Sequence, residues 1–273
     1  MFLAVKSVEL GSLSETLARP CSTYHFEEGI ASSSRFGREH ILALTGKTDM
    51  MTTMTDDFRD KVVLITGAGK GHGRLLAEAF TASGACVAAN DISPVNLDSL
   101  VADRNGQIKA YVEDVAKKVG AQAVVKQVED DFGRIDILIN HASVEPHVTL
   151  LDMDEWDWHR VLDVNLTGTF LMTQSVGRMM KEKGSGVIIN MIMANPQVRE
   201  NKAAYLASMN GLVALTRSAA EELAPFGIRV HAVGDGLQEF QDVDANVPRR
   251  FPDAIFYLCQ NKTLTGQMVN VMG

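Results

Sequence analysis

The chain is poor in cysteine, carries no excess of basic charge and lacks a long apolar run. Each shortage closes off a class of protein. Three cysteines in 273 residues, Cys21, Cys86 and Cys259, form neither a disulfide framework nor a metal-ligand pattern. Cys86 falls in an apolar stretch, where a small hydrophobic side chain is the expectation. The 26 Lys and Arg are outnumbered by 34 Asp and Glu, for a net charge of −8, which argues against a nucleic-acid partner. No apolar run reaches the ~20 residues that cross a bilayer, so no membrane partner is expected. The opening MFLAV has no basic stretch before it, and Glu9 and Glu15 come soon after, unlike a secretory signal. Glu27, Glu28 and Glu39 are out of place in a transit peptide. The expected location is cytoplasmic.

What remains is an ordinary globular composition, 46% hydrophobic and 22% charged, long enough for one large α/β domain. Its organising stretch is 61–73, KVVLITGAGKGHG. Residues 62–65 are a short, β-branched apolar run, the pattern of a buried strand. Gly67, Gly69, Gly71 and Gly73 crowd the turn after it, and Leu75, Leu76, Ala79 and Phe80 then recur at helical spacing. A strand, a glycine turn and a helix in that order make a phosphate cradle, because glycine admits close backbone approach and a helix N-terminus offers unpaired N–H groups. A plain tight turn is the competing reading. A second strand ending at Asn90-Asp91 favours the cradle, since a ribose-binding carboxylate belongs roughly twenty positions past the glycines. Asp91 accepts from ribose hydroxyls and repels a 2′-phosphate, which favours NAD over NADP. Lys70 pulls toward the phosphate and is outweighed.

Residues 1–57 have weak periodicity and read as a loosely structured extension, with Met50, Met51 or Met54 as an alternative natural start. From 58 to 273, strands are expected at 62–66, 86–90, 110–112, 135–140, 187–191, 229–233 and 268–271. Helices are expected at 72–83, 116–132, 155–182, 203–224 and 252–259. This alternation predicts a doubly wound parallel sheet of Rossmann type, covered by helices on both faces in one domain. Ligands of such sheets sit beyond the carboxyl ends of the strands. Asp114 comes after the third strand, where it either meets the adenine edge or caps the next helix.

These elements resemble the short-chain dehydrogenase/reductase family from about residue 58 to 273. Thr66-Gly67-x-x-x-Gly71-x-Gly73 is similar to its cofactor fingerprint, and Asn140-His141-Ala142-Ser143 to its Asn-Asn-Ala-Gly element. The stretch 154–170 resembles the helix carrying its catalytic Asn, here Asn165, and 203–233 its active-site helix and sixth strand. The resemblance implies hydride transfer between NAD(H) and an alcohol or carbonyl. It also implies cofactor contacts from Gly67, Lys70, Gly71, His72, Gly73, Asp91, Asp114, Val115, Asn140 and Ala142. Residues 155–182 and 203–224 resemble the helices through which relatives pair, which implies a homo-oligomer, or a hetero-oligomer with an active relative.

The chain departs from the family where the chemistry happens. The family uses a Tyr, a Lys four residues later, a Ser and an Asn. A free tyrosine has a pKa near 10, so about one part in a thousand is phenolate at neutral pH, and the Lys ammonium corrects this. Here Tyr205 and Asn165 are present, but Met209 stands at the Lys position and Met193 at the Ser position. A thioether brings no charge and donates no hydrogen bond. Lys202, His141 and His231 are the candidate substitutes, while Ser208 and Asn210 point to other sides of the helix. Asp235-Gly236 replaces the Pro-Gly that grips the nicotinamide, 237–240 lacks the Thr, and 236–265 is too short for the usual pair of lid helices. Ser143 stands where a Gly admits the cofactor. Two readings result: a weakened or lapsed NAD-dependent oxidoreductase, or a non-catalytic nucleotide-binding or partner subunit.

Overall fold

The computed structural model describes residues 58–102, 106–193, 200–235, 246–248 and 250–271. The expected extension 1–57, with Cys21 and the three candidate start methionines, lies outside them. So does the stretch 236–240.

Seven parallel strands form one sheet: β1 (Val62–Thr66), β2 (Cys86–Asp91), β3 (Ile108–Val112), β4 (Ile137–Asn140), β5 (Gly186–Met193), β6 (Ile228–Asp235) and β7 (Met268–Asn270). Their order is β3-β2-β1-β4-β5-β6-β7, so the direction of winding reverses between β1 and β4. The central strands are apolar on both sides because both faces are covered. On one face Val63, Ile65, Val87 and Ile139 pack against α1 (Gly71–Ala82), α2 (Pro94–Val101) and α7 (Asp253–Gln260). On the other, Leu64, Ala88, Leu138 and Ile188 pack against α3 (Lys118–Phe132) and α5 (Gly168–Lys183). A third cluster joins Val161 of α4 (Glu155–Leu162) to Tyr205, Met209 and Leu212 of α6 (Ala203–Leu223).

The sheet and the helix pattern match the sequence reading, with three local differences. The eight-residue α2 has no counterpart among the expected helices. The expected helix 155–182 is interrupted by a π-helical turn at Asp163–Thr167. The fourth strand starts at Ile137 because Asp136 is taken up in fastening its amino end. The Asp136 carboxylate accepts from the Val62 N–H at 2.9 Å and pairs with Arg134 and Lys183. Burial alone would push this carboxyl up, but the two cations and the N–H hold it below the usual range. Cys86 is fully buried in β2, as expected of a core residue.

At the far side of the sheet Arg229 fastens α7. Its guanidinium donates to the carbonyls of Leu258 at 2.6 Å and Cys259 at 3.0 Å, satisfying acceptors that a helix end leaves open.

Candidate active site

The carboxyl end of β1 delivers the chain into the glycine turn. Gly67 sits at φ +66°, a left-handed conformation that a side chain resists, and a Cβ there would stand 2.9 Å from the Ala142 Cα. A Cβ on Gly73 would stand 2.3 Å from the Gly67 carbonyl oxygen, so the first turn of α1 rests directly on the loop. Around Gly71 a Cβ would meet nothing within 4 Å. The turn is therefore tight on its inner side and open at Gly71. Helix α1 begins there with no side-chain cap and no acidic residue in its first turn. Its first N–H groups have no intrahelical acceptor, and the dipole favours an anion in front of them. Lys70, the residue before the helix, is exposed. The His72 and Phe251 rings pack in a T-shaped contact, with centroids 4.9 Å apart.

Asp91 stands at the end of β2 and braces this turn. Its carboxylate accepts from the Gly69 N–H at 3.0 Å and from the Ser93 N–H at 2.9 Å. Gly69 is required for that approach, since a Cβ would come within 2.7 Å of the carboxylate. Each carboxylate oxygen still has a lone pair to offer. The bracing role was not legible in sequence, where Asp91 pointed only to a ribose.

The other expected cofactor residues divide. Asp114 accepts from the Ala116 N–H at 3.0 Å in the turn ahead of α3, close to the capping alternative, although α3 itself starts at Lys118. Val115 is buried in the core beside it. Asn140 turns its side chain into the protein, donating to Asn190 Oδ1 at 2.9 Å and to Thr173 at 3.3 Å. Asn190 in turn donates to Thr216, so a buried polar ladder ties β4, β5, α5 and α6. The main-chain N–H groups of His141 and Ala142 both donate to the Thr66 hydroxyl at 3.1 Å, closing the gap between β1 and β4 at the switch in winding. Ser143 is exposed.

Of the expected catalytic residues, Asn165 lies within the π-helical turn and is 1% exposed. Its Oδ1 accepts from the Val144 N–H at 2.8 Å, and its Nδ2 donates to the Val144 carbonyl and to Ser208, each at 3.0 Å. The Tyr205 hydroxyl donates to the Met193 main-chain carbonyl at 2.7 Å. Met209 is 2% exposed in the apolar cluster with Val161 and Leu212. Two of the three candidate substitutes, Lys202 and His231, are engaged elsewhere. The Lys202 ammonium pairs with Glu145, on the loop after β4, a partner with no local sequence signal. His231 is fully buried in β6, its Nδ1 accepting from the Gln267 N–H at 3.3 Å. Burial, with nearby Arg229, holds its pKa down at about 3, so it is neutral near pH 7. Asn210 is exposed and bonds back to the Leu206 carbonyl.

Residues 61–248 match the model of the short chain dehydrogenase family. The chain belongs to that family. Among its short chain dehydrogenase relatives, the 3-oxoacyl-[acyl-carrier-protein] reductase FabG of Thermotoga maritima is 40% identical over 187 residues, 66% of this chain and 74% of that protein. A D-threitol dehydrogenase of Mycolicibacterium smegmatis is 38% identical over 183 residues, covering 65% and 70% of the two chains. An NAD-dependent glycerol dehydrogenase of Listeria innocua is 35% identical over 175 residues, covering 64% and 69%. The crystal structure of a short-chain type dehydrogenase/reductase from Mycobacterium marinum superposes with a TM-score of 0.70 at 27% identity, covering 80% of this chain and 96% of that one. The family is one of oxidoreductases that bind a nicotinamide dinucleotide, and the glycine turn fits such a group: open at Gly71, uncapped at α1 and braced by a carboxylate. No helix of the described residues is long and apolar enough to cross a membrane.

Proposed function

We propose that this chain is an NAD(H)-binding member of the family whose hydride transfer to or from an alcohol or carbonyl is weak or absent. Gly67, Gly71, Gly73 and the start of α1 hold the diphosphate, and Asp91 selects the unphosphorylated ribose. A nicotinamide supplies a hydride donor or acceptor when bound. This chain's own part would be to hold and move the proton. The observation carrying the reading is the environment of Tyr205: Met209 lies in an apolar cluster where a cation is needed, and the hydroxyl is committed to the Met193 carbonyl. A thioether brings no charge and donates no hydrogen bond at that position, which favours a structural tyrosine over a proton carrier.

The reductase and dehydrogenase names of the relatives weigh on the other side, as does the survival of Asn165 and Tyr205. Calorimetric titration of NADH beside ADP-ribose separates the two. Equal affinities are expected, because only the adenosine and diphosphate side is read. An NADH affinity tenfold or more above that of ADP-ribose would mean that the nicotinamide side is also recognised, and the reading of a lapsed site would fall.

A further inference from the structure

His141 lies just past β4 and faces the glycine turn of β1 across the switch in winding. Its Nδ1 lies 3.1 Å from the Gly67 carbonyl oxygen. A carbonyl only accepts, so Nδ1 carries the hydrogen and Nε2 is the atom left to take up a further proton. The ring fills space that two glycines leave. A Cβ on Gly73 would stand 2.7 Å from Nδ1, and one on Gly67 3.1 Å. With its own N–H bonded to Thr66, the residue is fixed from both ends. The titratable groups acting on the imidazole are His72 on α1 and Asp91 at the end of β2, while Thr66 and Gly67 contribute hydrogen bonds. Burial holds the imidazole below its ordinary range, and His72 adds to that effect while Asp91 and the Gly67 carbonyl oppose it.

We propose that His141 is a positioning residue for the glycine turn and takes up a proton when a nucleotide diphosphate binds there, so that nucleotide affinity rises as the pH falls. The proposal rests on the dinucleotide reading above. In the empty cradle, burial disfavours the imidazolium. A diphosphate brings negative charge to the same turn and favours it. A ligand that raises a group's pKa binds more tightly where that group is protonated. The proton comes from solvent and stays on Nε2.

The test is calorimetry of ADP-ribose with the full chain at pH 7.5 and about pH 5.5, below the free histidine pKa, in two buffers of different ionisation enthalpy. Proton uptake is expected at the lower pH, with affinity roughly threefold higher than at pH 7.5. His141→Asn keeps a polar side chain and is expected to bind without the uptake. His141→Ala loses the uptake and weakens binding at pH 7.5 by about three- to tenfold, the worth of a hydrogen bond. His72→Asn keeps the uptake. Uptake that persists in His141→Asn, or disappears in His72→Asn alone, overturns the proposal. So does His141→Ala with an unchanged affinity. Should His141→Ala fail to fold, the His141→Asn comparison decides alone. Wild-type protein that binds ADP-ribose without proton uptake overturns this proposal only. Wild-type protein that does not bind ADP-ribose removes the dinucleotide reading and this proposal with it.

Discussion

The two sides of the carboxyl edge of the sheet are built differently. On the β1–β2 side the polar groups face a turn that is open at Gly71, with uncapped N–H groups and a carboxylate holding the loop in shape. On the β5–β6 side the polar groups are spent on the protein itself. Tyr205 bonds to the Met193 carbonyl, Asn165 to Val144 and Ser208, Lys202 to Glu145, and His231 is sealed inside the sheet. One side keeps unpaired capacity for a ligand, and on the other the described polar groups are engaged in internal bonds. On the function proposed above, the difference teaches that a binding half and a reacting half of one site can change independently, because the first is mostly backbone and the second mostly side chain. Backbone donors survive substitution of the residues that carry them, provided the glycines remain. A proton carrier disappears with one codon.

The largest effect that would break this contrast is expected at Gly73. Gly73→Ala drives a Cβ to 2.3 Å from the Gly67 carbonyl, backbone that has no rotamer with which to yield. Overpacking of this kind costs about 1–3 kcal/mol, and ADP-ribose affinity should drop tenfold or more as the turn is forced outward. Retention of both stability and binding would show that the cradle is looser than its contacts imply, and is checked by denaturant midpoint and calorimetry.

The next effect belongs to His231. Its pKa of about 3 lies below the ~6.5 of a free histidine, so the folded protein keeps it neutral where the unfolded chain protonates it. That contribution to stability is complete above the free value. It is lost at about 1.4 kcal/mol per pH unit as the pH falls toward 3. His231→Asn should therefore flatten the acid side of the curve of melting temperature against pH relative to the parent. Parallel curves would place the titration elsewhere.

The smallest effect is expected at Tyr205. Tyr205→Phe removes the bond to Met193 and should cost about 1 kcal/mol, roughly 2–4 °C in melting temperature, with ADP-ribose affinity unchanged. If the same change instead abolishes a measurable carbonyl reduction in the parent, the reacting half still works and the contrast is wrong.

Much of this architecture was legible because the strands are continuous apolar runs and the glycine turn has fixed spacing. Periodicity could not separate α4 from α5, since a π-helical turn keeps apolar residues in plausible places while adding one residue. It also left α2 unmarked: PVNLDSLV is only two turns long and buries Leu97 and Leu100 alone. In the site, Met193 and Met209 could be picked out in the sequence as departures from the family pattern it resembles. Which groups had absorbed the remaining polar side chains could not, because Met193 lies 12 residues from Tyr205, Glu145 is 57 positions from Lys202, and both of Asn165's partners sit on other elements. Such pairings depend on which loops the topology brings together, and the topology has no local signature.

The π-helical turn at Asp163–Thr167 also fixes a phase. Each residue added to a helix rotates the remainder of that helix by about 100°. Relative to an uninterrupted helix, the extra residue sets the direction in which Met172, Val176 and Met180 of α5 meet the sheet. Deleting a single residue there would leave composition and helix propensity nearly untouched. It would nevertheless swing that apolar stripe a quarter-turn away from β4 and β5, so the length of this short segment, more than its identity, keeps the two helices in step with the strands they cover.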